Sequence, residues 1–482
     1  MAFKHISFLL GIMLMFFGLA MLPAMLINQI YHEHFFVDFF YSFLLIEASG
    51  LILWLLGRGY QQDIQMSDGF LLVVMFWILI CLYGSIPFGL TLIHHLSFID
   101  ILFETVSGLT TTGVTLFDKP QNLPHSLLFY RQFLQFLGGM SIVVLTVAIM
   151  PLLGIGGTKL YRTETPGSFK DNKFTPRITS TAKALWLVYL LLTISCFIFY
   201  RLIGLEWFSA LGETFGTIST GGLTLHQEGL AFYKNHSLEW GAPIFMLLGS
   251  INFGLHYMAL KKHKLSQYWH EEEFRYFIKF IFIAILISCC LYYLSHQHIS
   301  PKEFRHIYFT IVSLISSSGA ACANYADWPL PILVILLLVS MVGGCHGSTS
   351  GGLKMIRTLL LSKFYHREIR LLLHPPAISL IKYNQKPLSN DILLSLFAFI
   401  SAFIFLMFVL IFLLTLFNND LLSAITMSIA TLSNSGMGLG AVSNSYANIS
   451  QASKAVLIVA MLAGRLEIFS LFIIFSWQFW KD

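Results

Sequence analysis

The chain is short of charge. Of 482 residues only 11% are Asp, Glu, Lys or Arg, where a soluble globular protein carries about 25%. Fifty-six per cent are hydrophobic, with 45 Phe and nine Trp, more apolar surface than one aqueous core can bury. A soluble enzyme is excluded. Metal and nucleotide signatures are also missing. The 17 His show no HExxH or other ligand spacing, and His32/His34 and His94/His95 fall at the ends of apolar runs, where interfacial solvation is ordinary. No GxxxxGK[ST] loop or GxGxxG turn is present, so the chain itself is expected to bind no nucleotide. The six Cys (Cys81, Cys196, Cys289, Cys290, Cys322, Cys345) have neither metal nor disulfide spacing and read as small buried hydrophobes. The net charge of +5 leaves no footprint for nucleic acid. It matters through where the positive residues sit.

What the chain does have is long apolar runs. A bilayer core takes about 20 residues of helix, and ten segments meet or approach that length: 7–28, 38–57, 69–94, 131–153, 184–203, 239–260, 274–294, 329–364, 391–417 and 455–479. The run Ile6 to Ile27 is longer than a signal-peptide core and no small-residue cleavage site follows it, so it reads as a membrane helix. The eighth segment contains an apolar run, Pro331–Val342, of 12 residues, which rises about 18 Å against a core of about 30 Å. It is a broken helix. With the N-terminus in the cytoplasm, Lys4, Arg58, six basic residues in 159–183, five in 261–279, seven in 354–386 and Lys481 lie inside, 21 in all. Seven lie outside (Lys119, Arg131, Arg201, Lys234, Lys302, Arg305, Lys454) and Arg465 falls within a span. That bias places both termini in the cytoplasm.

A second signal lies in the outer connections. Between spans three and four, five and six, seven and eight, and nine and ten there is an extra apolar stretch of 10–14 residues, too short to cross. Such stretches read as re-entrant half-helices. Their ends align as Thr110-Thr111-Thr112-Gly113, Ser219-Thr220-Gly221-Gly222, Ser316-Ser317-Ser318-Gly319 and Ser433-Asn434-Ser435-Gly436, at intervals of 109, 97 and 117 residues. The internal repeat implies an all-α polytopic membrane protein with four pseudo-fourfold span, half-helix, span units around one pore, plus two extra N-terminal helices. The expected divisions are 1–66 for those two helices, then units at 67–158, 159–262, 263–375 and 376–482. One such turn would be an ordinary helix cap. Four in register with the spans instead suggest a ring, in which carbonyl oxygens replace the water shell of a monovalent cation and four half-helix C-termini aim partial negative charge at it.

This pattern resembles the Trk/Ktr/HKT superfamily of potassium transporters, and within it the bacterial TrkH/TrkG branch. The likeness extends through Leu137-Gly138-Gly139-Met140, Pro176-Arg177-Ile178 with Thr181-Ala182-Lys183, Asn252-Phe253 with Leu255-His256-Tyr257, Gly343-Gly344-Cys345 with Gly347-Ser348-Thr349 and Gly351-Gly352-Leu353-Lys354, and Gly464-Arg465-Leu466-Glu467-Ile468-Phe469. The two extra N-terminal spans are similar to the TrkH branch, since Ktr subunits generally lack them. The resemblance implies potassium-selective uptake across a bacterial inner membrane. It implies a filter of Thr111, Thr112, Gly113, Thr220, Gly221, Gly222, Ser317, Ser318, Gly319, Asn434, Ser435 and Gly436, with potassium at Thr111, Thr112, Thr220, Gly221, Ser317, Ser318, Asn434 and Ser435. In plant relatives a Ser at the first filter glycine goes with sodium; here all four are Gly. It also implies a homodimer and a cytoplasmic TrkA ring of nucleotide-binding domains. The basic loops at 159–183, 261–279 and 354–386 are the expected docking surface, although anionic lipid is a sufficient reason for their charge. Ser141 and His346 stand where the family usually has a small residue.

Five glycines within 343–352 (Gly343, Gly344, Gly347, Gly351, Gly352) cannot sustain a helix. They are expected to form a flexible loop under the filter, either a gate or a passive kink. Arg465 needs a partner or water at mid-membrane. It can be a barrier and an anchor for the loop's carbonyls, or it can pair with Glu467 or another acid as structure. Glu47 in the second span reads as packing, and Lys279 as snorkelling. An intramembrane enzyme would need paired acids or a His/Asp constellation at one depth, and none is found. A proton- or sodium-coupled symporter stays open as an alternative, although the repeats share one orientation where inverted ones would be expected.

Overall fold

The computed structural model describes residues 3–59, 66–92, 96–148, 178–375 and 379–480. His94, His95, Lys481, most of the basic loop 159–183 with Pro176-Arg177, and the ends of the third and fourth expected spans lie outside them. The described residues are helical almost throughout, with one two-stranded hairpin.

The N-terminal pair packs closely because small residues recur every seven positions. α1 (Phe3–Gly18) runs into α2 (Met21–Ile30), and α1 lies against α3 (Phe36–Gly57). A Cβ on Gly11 would sit 2.5 Å from the Trp54 backbone nitrogen, so Gly11, Gly18, Gly50 and Gly57 let the two backbones touch. Glu47 packs beside Gly18.

Four units follow. α4 (Met66–Gly84) and α5 (Ile86–Leu92) lead to half-helix α6 (Phe98–Leu109) and to α7 (His125–Ala148). In the second unit α8 (Ile178–Leu202) precedes half-helix α9 (Trp207–Ile218), and α10 (His236–Ser250) continues as α11 (Phe253–Lys262). A short α12 (Ser266–His270) opens the third, with α13 (Glu272–His296), half-helix α14 (Pro301–Ile315), α15 (Leu330–Val342) and α16 (Met355–Leu373). The fourth has α17 (Asn390–Leu416), half-helix α18 (Leu421–Leu432), α19 (Gln451–Arg465) and α20 (Phe469–Phe475). The half-helices start where sequence dictates. Ser97 with Asp100 and Ser300 with Glu303 form capping boxes, and Asp420 accepts the Ser423 N–H.

Six helical stretches among the described residues are long and apolar enough to cross a membrane, or eight if two bent pairs are counted. Two of the expected segments, 239–260 and 455–479, are bent. α10 and α11 meet at 96°, where Asn252 caps α11, and α19 and α20 meet at 113°, where Glu467 and Ile468 take left-handed dihedrals. The eighth is broken as its length requires, since α15 has 13 residues. Each unit's second span packs on the next unit's half-helix: α7 on α9, α10 on α14, α15 on α18, and α19 back on α6. The last contact closes a ring.

Candidate functional site

All four half-helices end in the same conformation. Thr110, Ser219, Ser316 and Ser433 cap them, and Thr111, Thr220, Ser317 and Asn434 then turn left-handed, at φ 53°, 52°, 55° and 48°. Thr112, Gly221, Ser318 and Ser435 return their N–H groups to carbonyls five residues back, at 2.8–2.9 Å. This is the double-bonded helix ending that usually has Gly at its left-handed position. A residue with Cβ costs about 1–2 kcal/mol there, and three of the four side chains are used. Asn434 Nδ2 donates to Thr112 Oγ1 at 2.8 Å, Ser317 Oγ accepts the Gly351 N–H at 2.6 Å, and Thr220 Oγ1 lies 3.1 Å from Thr349 Oγ1.

The glycines that follow lock the turns to one another in order. A Cβ on Gly113 would meet the Gly221 carbonyl oxygen at 2.5 Å and one on Gly436 would meet that of Thr112 at 2.7 Å. Gly222 stands likewise against Ser318, and Gly319 against Ser435. Unit one thus touches two, two touches three, three touches four, and four returns to one. Among the described residues, no donor reaches the carbonyl oxygens of Thr111, Thr112, Thr220, Gly221, Ser317, Ser318, Asn434 or Ser435. The Thr111, Ser318 and Ser435 hydroxyls and Asn434 Oδ1 are buried without a hydrogen bond. Buried backbone oxygens are otherwise almost always satisfied.

Buried ion pairs brace the turns from behind, and sequence reasoning missed them. Arg131 Nε donates to Glu104 Oε1 at 2.7 Å and its Nη1 to the Thr224 carbonyl at 2.8 Å; Glu104 also accepts the Leu116 N–H. Glu213, at the same offset before its glycine, accepts the Leu225 N–H. Gln135 bonds both backbone groups of Leu223. Arg305 of α14 pairs with Glu239 of α10, and Lys454 of α19 with Asp100 of α6 at 2.7 Å. Arg131, Arg305 and Lys454, counted above among the outer basic residues, are buried in these pairs. The available signal was the matched offset of Glu104 and Glu213, and the grouping of Arg131, Gln132 and Gln135 on an otherwise apolar helix.

The glycine-rich segment is irregular, as expected, but it is buried and tied down. Cys345 N–H donates to Ser250 O at 2.8 Å, Phe253 N–H to Gly347 O at 3.1 Å, Ser350 Oγ to Ser316 O, and Lys354 Nζ to Ser350 O. Its glycines serve close approach as much as freedom. Gly343 sits at φ 73° where an added Cβ would collide with Gly351 O, and one on Gly351 would collide with Ser433 O. Arg465, the last residue of α19, donates to Thr349 O at 3.0 Å and Gly138 O at 2.8 Å. It does not pair with Glu467, whose carboxylate takes Arg357 Nη2 at 2.8 Å, because the left-handed residues after Leu466 turn Glu467 away. A small cavity beside the fourth turn is bordered by Asn434, Arg465, Lys354 and Glu467. Ser141 Oγ bonds back to Leu137 O at 2.7 Å, and His346 is buried in the loop.

A multi-pass helical membrane protein in which four half-helices converge on unbonded carbonyls belongs to the class that moves ions. The chain belongs to the TrkH family, described as cation transport proteins, whose model matches residues 32–481. It is a transport protein and not an enzyme. It is 40% identical to the Trk system potassium uptake protein TrkH of Vibrio parahaemolyticus and 37% identical to that of Halomonas elongata, each over 100% of both chains. It is 36% identical to TrkG of Escherichia coli K12 over 99% of each. The crystal structure of the potassium transporter TrkH from Vibrio parahaemolyticus superposes with a TM-score of 0.92, at 38% identity and full coverage of both chains.

Proposed function

We propose that this chain is the pore-forming subunit of a potassium uptake system in a bacterial inner membrane, with both termini cytoplasmic. The observation that carries it is the ring of eight carbonyl oxygens, at Thr111, Thr112, Thr220, Gly221, Ser317, Ser318, Asn434 and Ser435, that no described donor satisfies. A dehydrated potassium ion supplies what those oxygens lack, and the four half-helix C-termini add partial negative charge. Gly113, Gly222, Gly319 and Gly436 set the spacing, because nothing larger fits between neighbouring turns. The units divide at 67–158, 159–262, 263–375 and 376–482, after two extra helices in 1–66.

The segment 343–352 is the gate. It bonds to the second and third turns, packs on the fourth, and reaches the first unit through Arg465, so it blocks the basic side of the ring. Arg465 is its anchor and adds a positive barrier. A TrkA-like cytoplasmic ring that binds nucleotide, which this chain does not, moves the gate, and the chain works as a homodimer. The test is tracer rubidium uptake into proteoliposomes. Uptake that follows the cation gradient alone supports a pore; uptake that needs an imposed proton or sodium gradient would favour the symporter.

A further inference from the structure

Three consecutive glutamates join a surface hairpin to the glycine-rich segment. Strands β1 (Lys382–Tyr383) and β2 (Lys386–Pro387) pair antiparallel around Asn384 and Gln385, both left-handed at φ 45° and 65°, a two-residue turn that fixes its own geometry. Asn384 bonds Glu272 in both directions: the Glu272 N–H donates to Asn384 Oδ1 at 3.1 Å and the Asn384 N–H to Glu272 Oε2 at 3.0 Å. Glu271 Oε1 accepts the Tyr383 hydroxyl at 2.5 Å and Asn384 Nδ2 at 3.0 Å. Lys363 of α16 donates to both Glu272 and the Lys382 carbonyl.

Glu273 turns the other way. It is 3% exposed, and its Oε1 accepts the His346 N–H at 2.7 Å in the middle of the glycine-rich segment. The hairpin is held as one body, because Ile381, Tyr383 and Leu388 share a buried cluster with Leu359 and Leu360 of α16, against which Tyr276 of α13 packs. The first turn of α13 has no slack between adjacent residues. A pull on Glu271 and Glu272 must displace Glu273.

We propose that Glu273 is a positioning residue for the segment 343–352 and that the hairpin 382–387 is the handle that sets it. Whatever binds and moves the hairpin moves His346. The importance for transport rests on the gating reading above. The bland competitor is that Glu273 only satisfies a buried N–H, and that competitor gives the hairpin no role.

The full chain in liposomes is measured two ways, by amide hydrogen exchange across 343–352 and by rubidium flux. Glu273→Ala is expected to raise exchange there about tenfold and basal flux several-fold, as loss of one charge-assisted hydrogen bond allows. Glu273→Gln, which keeps an acceptor oxygen, is expected to restore both. The double variant Tyr383→Phe, Asn384→Ala is expected to raise exchange in the same segment, although neither residue touches it. Unchanged exchange in the double variant overturns the handle, and unchanged exchange in Glu273→Ala overturns the positioning role. The double variant decides the handle even if Glu273→Ala does not insert. Raised exchange in both with wild-type flux leaves the handle standing and removes the gate.

Discussion

Arg465 shows how far single residues could be read and where reading stopped. Its importance was legible, because topology places it at neither face. Its partner was not. Glu467 lies two residues on, but the chain turns left-handed at Glu467 and Ile468 and sends that carboxylate to Arg357, a reversal that residue types do not announce. Arg465→Ala frees the Thr349 and Gly138 carbonyls and removes a positive charge. Rubidium flux is expected to rise several-fold at normal yield. Arg465→Lys is expected to recover part of the barrier and less of the anchoring, since an ammonium lacks the planar fork that bridges two carbonyls. Normal yield with flux no higher than wild type would argue against the role.

At the scale of elements, the half-helices were legible and the straightness of the spans was not. Caps at Ser97, Ser300 and Asp420 and the small-residue endings mark the half-helices locally. The 96° and 113° bends fall inside apolar runs, and beside them the Phe253 N–H and Arg465 bond the glycine-rich segment at Gly347 O and Thr349 O. The same contacts explain the five glycines. Their sequence suggested freedom; the structure adds close approach, most tightly at Gly343 and Gly351. On the proposed gating role, deleting Gly351 and Gly352 should draw the segment off Ser317 and Ser433, raising rubidium flux and weakening its dependence on the proposed regulatory partner. Zero flux from folded, inserted protein would make the segment a support instead.

The whole molecule depends on closing a ring within one chain, and the repeat intervals made that legible while the closing contacts stayed hidden. Lys454 and Asp100 lie 354 residues apart, beyond any local pattern, and the topology count said only that Lys454 lies on the outer side. Lys454→Met leaves a mostly buried carboxylate with only the neutral donors Ser97 and Gln451, at a cost below the ~3–5 kcal/mol of a wholly unpaired buried charge, and should lower the midpoint of thermal unfolding. Adding Asp100→Asn should recover most of the loss, and no recovery would mean that the pair does not hold the seam. If the chain dimerises as proposed, a ring complete in one chain also predicts that a mixed dimer with one filter destroyed keeps about half of wild-type flux, whereas complete loss would mean a shared pore. The central claim is that the four turns select the ion, and the most direct measurement is the ratio of potassium to sodium uptake in liposomes for wild type and Gly113→Ser. The new Cβ must displace the Gly221 carbonyl, 2.5 Å away, so the ratio is predicted to fall several-fold in folded protein. An unchanged ratio would contradict the assignment of the filter.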